Sequence, residues 1–512
     1  WDKEKKELFG ARDIFGIKPF YYYHDGKTFL FGSEIKSFLS HPGFHKELDE
    51  EKIPEYLSYE YIPYENTIFK NVFKLPGAHC FTYKDGKLNV ERYYRIQYNI
   101  EEDKPLEYWE KAIQKEFSES VAMHQIADVE VGCFLSSGVD SSYVVKEISK
   151  GTKKVKTFSV GYEEEKYSEL PYAQEFSQAV GVPNISNKVS ADEFFDAVPE
   201  IQYMLDEPLP NPSEIPLYFL AQNARKYVKV VLSGEGADEL FGGYWIYHDQ
   251  YEFSKYFKVP RALRAAGGAV AQKLPPFHGR HFAMRGSGGP EKSYQRACMN
   301  YMWDEVPNVL KGYNGPCKPW EWCKPHFDEA AVQTGGGDVI TQTQYVDMVS
   351  YMPYDICLKA DRMSMAHSLE LRVPFLDKKV LDVALQLPTD CRVTDEHSKY
   401  ALRRSAAHLG SQKKVANMPK QPFITPLTVW LQTDLYYERI KEAFTSPAAH
   451  EFFNVDYLMK MLDDHRSADF STQEGRSKLK MMRIWNVYCF LCWYEVFFGE
   501  TSKQYAPKTQ VA

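Results

Sequence analysis

Between residues 129 and 232 the chain switches repeatedly between two periods, and this alternation limits its fold more than any other feature. Apolar runs at 129–135, 155–160, 184–189 and 228–232 read as strands. Helical spacing at 141–149, 169–180, 191–205 and 213–227 separates them. Strands that alternate with helices predict a parallel sheet with helices on both faces. A helix is also predicted over 108–122. From about residue 250 to the end the pattern is mostly helical. A Gly/Pro-rich break there, Pro275-Pro276 and residues 286–290, is expected to be mobile.

Residues 1 to about 95 follow a different rhythm. Phe20-Tyr21-Tyr22-Tyr23 and Thr28-Phe29-Leu30-Phe31 flank His24-Asp25-Gly26-Lys27, a hairpin signature with its turn on Asp-Gly. Phe81-Thr82-Tyr83 and Leu88-Asn89-Val90 repeat it around Asp85-Gly86. The polar stretch 97–105 reads as a linker.

Composition excludes several classes. The formal charge of −8 argues against a nucleic-acid binder, which would show a basic face. The longest apolar run, 487–494, is too short to span a bilayer. No signal-peptide pattern is visible, and a cytoplasmic location is expected. The nine cysteines are scattered, which fits reduced thiols better than a disulfide framework. Cys489 and Cys492 form a CxxC inside an aromatic run, where i, i+3 spacing reads as one buried helix face. Cys317 and Cys323 lack a second ligand pair at zinc spacing.

Two loops carry chemistry. Leu135-Ser136-Ser137-Gly138-Val139-Asp140-Ser141-Ser142 lies between a strand and a helix. Such a turn aims backbone N–H groups and a helix N-terminus at one point, which suits phosphate. Gly138 allows close backbone approach. Asp140 would repel phosphate when bare, so it reads as a Mg²⁺ ligand. The plainer alternative is an N-cap turn. The second loop, Ser233-Gly234-Glu235-Gly236-Ala237-Asp238-Glu239-Leu240-Phe241-Gly242-Gly243-Tyr244, also follows a strand. In open α/β sheets such turns face one crevice. Asp140 and Asp238 are therefore expected to share Mg²⁺ on ATP, with Glu235 as a base. Charges at Asp355, Lys359, Asp361 and Arg362, and Lys399 further on, have helical spacing that usually gives solvated pairs.

Together these strings resemble the glutamine-hydrolysing asparagine synthetases. The first loop is similar to the pyrophosphate loop of N-type ATP pyrophosphatases, with Ser137 where that family usually has Gly. Asp361-Arg362-Met363-Ser364-Met365-Ala366 and Glu370-Leu371-Arg372-Val373-Pro374-Phe375-Leu376-Asp377 match the family pattern. Arg12-Asp13, Gly16, Ser33-Glu34-Ile35-Lys36 and Pro76-Gly77 resemble the second half of an N-terminal-nucleophile glutaminase domain. The implied α/β architecture is a partial αββα glutaminase domain, residues 1–96, and a linker, 97–106. An adenine-nucleotide α-hydrolase-like parallel-sheet domain with a helical C-terminal part, 107–512, follows.

The resemblance further implies that aspartate attacks the α-phosphorus of ATP to give β-aspartyl-AMP, which ammonia converts to asparagine. Leu135, Val160, Ser233 and Gly234 would hold adenosine. Ser136, Ser137, Gly138, Val139, Asp140, Ser141 and Ser142 would hold pyrophosphate, and Asp140 and Asp238 would hold Mg²⁺. Glu235 would be the base, and Lys399 would stabilise phosphate charge. Tyr244 and Lys359 are further ATP-site carry-overs, as is Glu169. Expected partners are aspartate with ammonia or glutamine, and a homodimer is allowed; nucleic acid and membrane are not expected. The chain begins at Trp1, and its first cysteine, Cys80, lies in a strand-turn segment. The family's nucleophilic Cys is thus expected upstream, leaving this chain dependent on ammonia. Pro419-Lys420-Gln421-Pro422-Phe423 departs from the family, which usually has Gly before Phe. The competing readings are a related adenylating enzyme that closes a β-lactam or peptide ring, and a non-catalytic ATP-binding relative.

Overall fold

In the computed structural model, residues 1–512 are described except 152–153, 276, 316, 408–424, 469–473 and 506–512, and the side chains of 474–479. The string 419–423 lies outside the described residues.

Both Asp-Gly turns close hairpins. The Asp25 carboxylate accepts the N–H groups of Lys27 and Thr28 at 2.9 and 2.7 Å, and Gly26 has φ +89°. At the second turn Asp85 and Gly86 both take positive φ, as a two-residue hairpin turn requires. Strands β1 (Leu8–Ala11), β2 (Tyr21–His24), β3 (Phe29–Gly32), β4 (Val72–Lys74), β5 (His79–Lys84) and β6 (Lys87–Arg92) form two antiparallel sheets, β1-β5-β6 and β3-β2-β4. Aromatic side chains join the sheets: the Phe29 and Tyr83 rings stack with centroids 4.4 Å apart.

The expected parallel sheet is present. It is formed by β7 (Val131–Phe134), β8 (Thr157–Tyr162), β9 (Asn184–Val189), β10 (Val230–Leu232) and β11 (Glu370–Arg372), in the order β11-β10-β7-β8-β9. From β7 the chain steps outward through β8 to β9. It then returns to the other side of β7 as β10. The switch point lies between β7 and β10, the place where a crevice opens at the strand C-termini. Both chemically marked loops leave the sheet there. Strand β11 was not legible in the sequence: three residues with one apolar side chain carry no period. Its register, Val231 opposite Leu371, comes from pairing with β10.

The expected helix over 191–205 is two helices, Ala191–Asp196 and Val198–Leu205. Pro199 has no N–H to donate to the Phe195 carbonyl, so the ladder breaks. Arg439 Nη2 satisfies that carbonyl at 2.8 Å. The Gly/Pro-rich break at 286–290 is anchored, contrary to expectation. Arg264 Nη1 donates to the Gly286 and Gly288 carbonyls at 2.5 and 2.6 Å, and Gly286, Ser287 and Gly288 are buried. Cys489 lies buried in the helix Glu474–Phe497, and Cys489 and Cys492 are free thiols, in line with the packing reading. Among the described residues no helix is long and apolar enough to cross a membrane.

The stretch read as a linker is docked. Tyr98, Asn99 and Glu101 donate their N–H groups to the carbonyls of Gln333, Leu385 and Gln386 at 2.9–3.0 Å, and Tyr98 is buried. A second bond between the two halves centres on Asp206, which is fully buried. Its carboxylate accepts the N–H groups of Ile35 and Lys36 at 3.0 Å, Lys36 Nζ at 3.0 Å and Arg362 Nη2 at 2.8 Å. Two strings noted for resemblance, 33–36 and 361–366, thus meet on one carboxylate.

Candidate active site

The loop after β7 is braced from within. Ser136 N donates to Ser141 Oγ at 3.0 Å, and Gly138 N to Ser136 Oγ at 3.1 Å. Ser137 N donates to Glu169 Oε2 at 3.0 Å. The helix Val139–Gly151 starts here. Its first N–H groups have no partner inside the helix. Among the described residues no side chain caps those of Val139, Asp140 or Ser141. Asp140 does not serve as a cap; its carboxylate turns to Lys399.

The loop after β10 approaches so closely that only glycine fits. A Cβ at Gly234 would lie 2.9 Å from Ser141 N and 3.0 Å from Asp140 Cβ. Gly242, at φ +76°, turns the chain, and a Cβ at Gly243 would collide with Asp238 Oδ1 and Lys399 Cε. These contacts bring Asp140 and Asp238, 98 residues apart in sequence, onto one cation. Lys399 Nζ lies 2.6 Å from Asp140 Oδ2 and 2.9 Å from Asp238 Oδ1. Lys399 is 2% exposed, with φ +53°, just before the helix Tyr400–Ala407. It is therefore neither on a helix nor solvated. Burial alone would lower its pKa, but the two carboxylates outweigh burial and raise it.

A cavity of about 410 Å³ opens over this cluster. It is lined by Leu135, Ser136, Ser137, Gly138, Val139, Asp140, Ser141, Val160, Glu169, Ser233, Gly234, Glu235, Asp238, Tyr244, Lys359 and Lys399. Of the site residues read from the sequence, Ser142 alone is off the wall; it is buried, and its hydroxyl donates to the Gly138 carbonyl. Leu135, Val160, Ala173, Leu217 and Leu220 supply apolar lining. Glu235 is half-buried. Burial pushes its pKa up, Lys359 opposes this, and Asp238, Asp140 and Asp355 add to it. A carboxyl that titrates closer to neutrality is a better general base.

The cavity's other walls use residues whose sequence context carries no signal. Asn211, Ser213 and Tyr351 line it. A π-helical turn, Met352–Ile356, leads into the helix Cys357–Met365 and places Asp355 and Lys359, expected as a solvated pair, in the interior. Arg296 lies 3.2 Å over the Tyr351 ring and is paired with buried Asp347 at 2.8 Å. Tyr244 donates its hydroxyl to Glu239 Oε1 at 2.7 Å, and burial moves the Glu239 carboxyl up to about 7.

The residues present fit a magnesium nucleotide. Mg²⁺ is usually held by one or two carboxylates, with phosphates and water completing the shell. Asp140 and Asp238 supply two carboxylates, and Asp140 Oδ1 is buried with no hydrogen-bond partner among the described residues. Among the described residues no group of three or more His, Cys, Asp or Glu could form an all-protein cage. Gly138 adds a cradle: a Cβ there would meet only Ser136 Oγ, at 3.3 Å, so the space is not needed by the protein itself.

Residues 112–493 match the model of the asparagine synthase family, and residues 1–94 match that of the glutamine amidotransferase domain. The chain is 34% identical to asparagine synthetase [glutamine-hydrolyzing] 1 of Bacillus subtilis, over 99% of this chain and 78% of that one. It is 35% identical to a putative asparagine synthetase [glutamine-hydrolyzing] of Mycobacterium tuberculosis, over 97% and 76%. Amidase chry2 of Gibberella zeae is 23% identical over 94% and 77%.

Proposed function

The chain belongs to the asparagine synthase family of ligases, and we propose that it makes asparagine from aspartate and ATP through a β-aspartyl-AMP intermediate. The observation that carries this reading is the Lys399–Asp140–Asp238 cluster at the switch point of the sheet.

Each group then has a role. The apolar lining at Leu135 and Val160, and the backbone at Ser233 and Gly234, receives adenosine. Residues 136–141 receive pyrophosphate through loop hydroxyls and the N–H groups of Val139, Asp140 and Ser141, those of 136–138 being donated within the protein, while Ser142 braces the Gly138 carbonyl behind them. Tyr244 adds a wall to the nucleotide site. Asp140 and Asp238 would hold Mg²⁺, which neutralises phosphate charge when bound. An oxygen of the aspartate side chain attacks the α-phosphorus and pyrophosphate leaves. Lys399 stabilises the charge that develops there. Ammonia then attacks the acyl carbon and AMP leaves. Glu235 takes the proton that the nitrogen must lose. Glu169, bonded to Ser137 N, holds the loop in shape. Ammonia is the nitrogen donor at this site, and the match of residues 1–94 to the glutamine amidotransferase domain supports glutamine as the family's source of that ammonia. Positioning and charge stabilisation do most of the work.

The test is pyrophosphate release with Mg-ATP, aspartate and ammonium chloride. Release that depends on aspartate, with asparagine and AMP formed in equal amounts, is expected. No release with aspartate and any amine would refute the reading.

A further inference from the structure

Among the described residues three cationic side chains line the cavity, and they fall into two groups. Lys399 is paired with Asp140 and Asp238, and the charge of Arg403 acts on the same two carboxylates. Both belong to the phosphate end. Lys359 stands apart: its charge acts on Glu235, Asp355, Glu214 and Glu60. Glu235, on the same cavity wall, feels Lys359 as well as Asp140 and Asp238.

The Lys359 end is built to be rigid. Asp355 is fully buried, and its Oδ1 accepts from Asn211 Nδ2 at 2.7 Å. Asn211 Oδ1 in turn accepts the Ser213 N–H at 3.2 Å and the Ser213 hydroxyl at 2.7 Å. Lys359 Nζ lies 3.7 Å from Asp355 Oδ1, an ion-pair distance longer than a hydrogen bond. Asp355 thus aims the ammonium group without consuming its donors. Beyond Asp355, the nearby acids Glu60 and Glu214 add little opposing charge. Burial raises the pKa of Glu60 to about 8 and that of Glu214 well above its usual range, which favours their neutral forms.

A dicarboxylic amino acid in this cavity must place its reacting carboxylate at the phosphate end. Its second carboxylate would then be left to the cation outside the phosphate cluster. Resting on the reading of the substrate as aspartate, we propose that Lys359 binds the α-carboxylate of the amino acid, and that Asp355 and Asn211 are the positioning residues that hold Lys359 there. This assigns Lys359 to the amino acid in place of the nucleotide.

The experiment compares Lys359→Gln with the unsubstituted chain in aspartate-dependent pyrophosphate release. Loss of a charge-assisted hydrogen bond is expected to raise KM for aspartate by roughly 10- to 100-fold. KM for ATP should stay within about twofold. The full chain should also prefer aspartate over 3-aminopropanoate, which lacks the α-carboxylate, and Lys359→Gln should lose most of that preference. Asp355→Asn should raise KM for aspartate less, with Mg-ATP binding unchanged. If a lone buried acid prevents folding of Lys359→Gln, the double variant Asp355→Asn/Lys359→Gln removes both charges together. A rise in KM for ATP with KM for aspartate unchanged would overturn the assignment, as would an unchanged preference over 3-aminopropanoate. Absence of aspartate-dependent release in the unsubstituted chain would instead refute the proposed function.

Discussion

Lys399 Nζ lies 2.6 Å from Asp140 Oδ2, across 259 residues of sequence. One ammonium group closes the gap between the two strand-end loops, and it sits beside the carboxylates that would hold Mg²⁺. Removing it should affect both stability and chemistry. Lys399→Gln is expected to abolish pyrophosphate release and to destabilise the protein without nucleotide. The cost approaches about 3–5 kcal/mol for a fully buried pair and is smaller here, since each carboxylate keeps about a fifth of its surface exposed. Chemical denaturation with and without Mg²⁺ measures it, and added Mg²⁺ should recover part of the loss.

Gly234 and Gly138 should separate packing from ligand space. Gly234→Ala forces the two loops apart, and activity should fall by roughly 100-fold or more. Gly138→Ala meets only the Ser136 hydroxyl. It should melt like the parent yet show a raised KM for ATP, because its methyl group enters the phosphate cradle. Thermal melts and ATP titrations decide both.

Glu235→Gln should split the two half-reactions. Aspartate-dependent pyrophosphate release should persist, while asparagine formation falls by roughly 10²- to 10⁴-fold. In the parent, asparagine formation should rise with pH through the raised pKa of Glu235, because the base acts as the carboxylate. Parallel pyrophosphate and asparagine assays across pH provide the check.

Glu60 supplies a stability signature. Its carboxyl is pushed by burial from 4.5 to about 8, so the folded state binds a proton that the unfolded state releases between those values. Stability should therefore fall as pH rises through this window, by a few kcal/mol at most. Glu60→Gln should flatten that slope in urea denaturation measured at pH 5.5 and 8.5, leaving stability at the lower pH nearly unchanged.

Asp206→Asn should loosen the join between the halves. The variant leaves Lys36 and Arg362 facing a neutral group, at a cost of about 3–5 kcal/mol for a buried charge pair. Protease cleavage within 97–105 should speed up, and two melting transitions should replace one.

Much of this was legible in residue order. Aromatic and apolar runs flanking Asp-Gly dictated the hairpins, because turn chemistry is local. Alternating apolar strands and helices predicted the parallel sheet, and Gly, Ser and acids after two strands marked the loops. What failed locally had a local cause that the period obscured: Pro199 divides one expected helix, and Arg264 anchors a Gly/Pro stretch expected to move. Strand β11 is a strand only because β10 offers it partners.

Sequence alone therefore determined which chemical groups this protein has and where strand-to-helix turns present them, since both depend on neighbouring residues. Tertiary structure decided which charges meet. Lys399 became the bridge between Asp140 and Asp238, Lys359 was set beside Asp355 away from them, and Asp206 was brought to Lys36 and Arg362. Each partnership spans at least 98 residues or turns on which helix face is buried. Coulomb energy at close range in a poorly solvated interior depends on distances that only the packed fold creates.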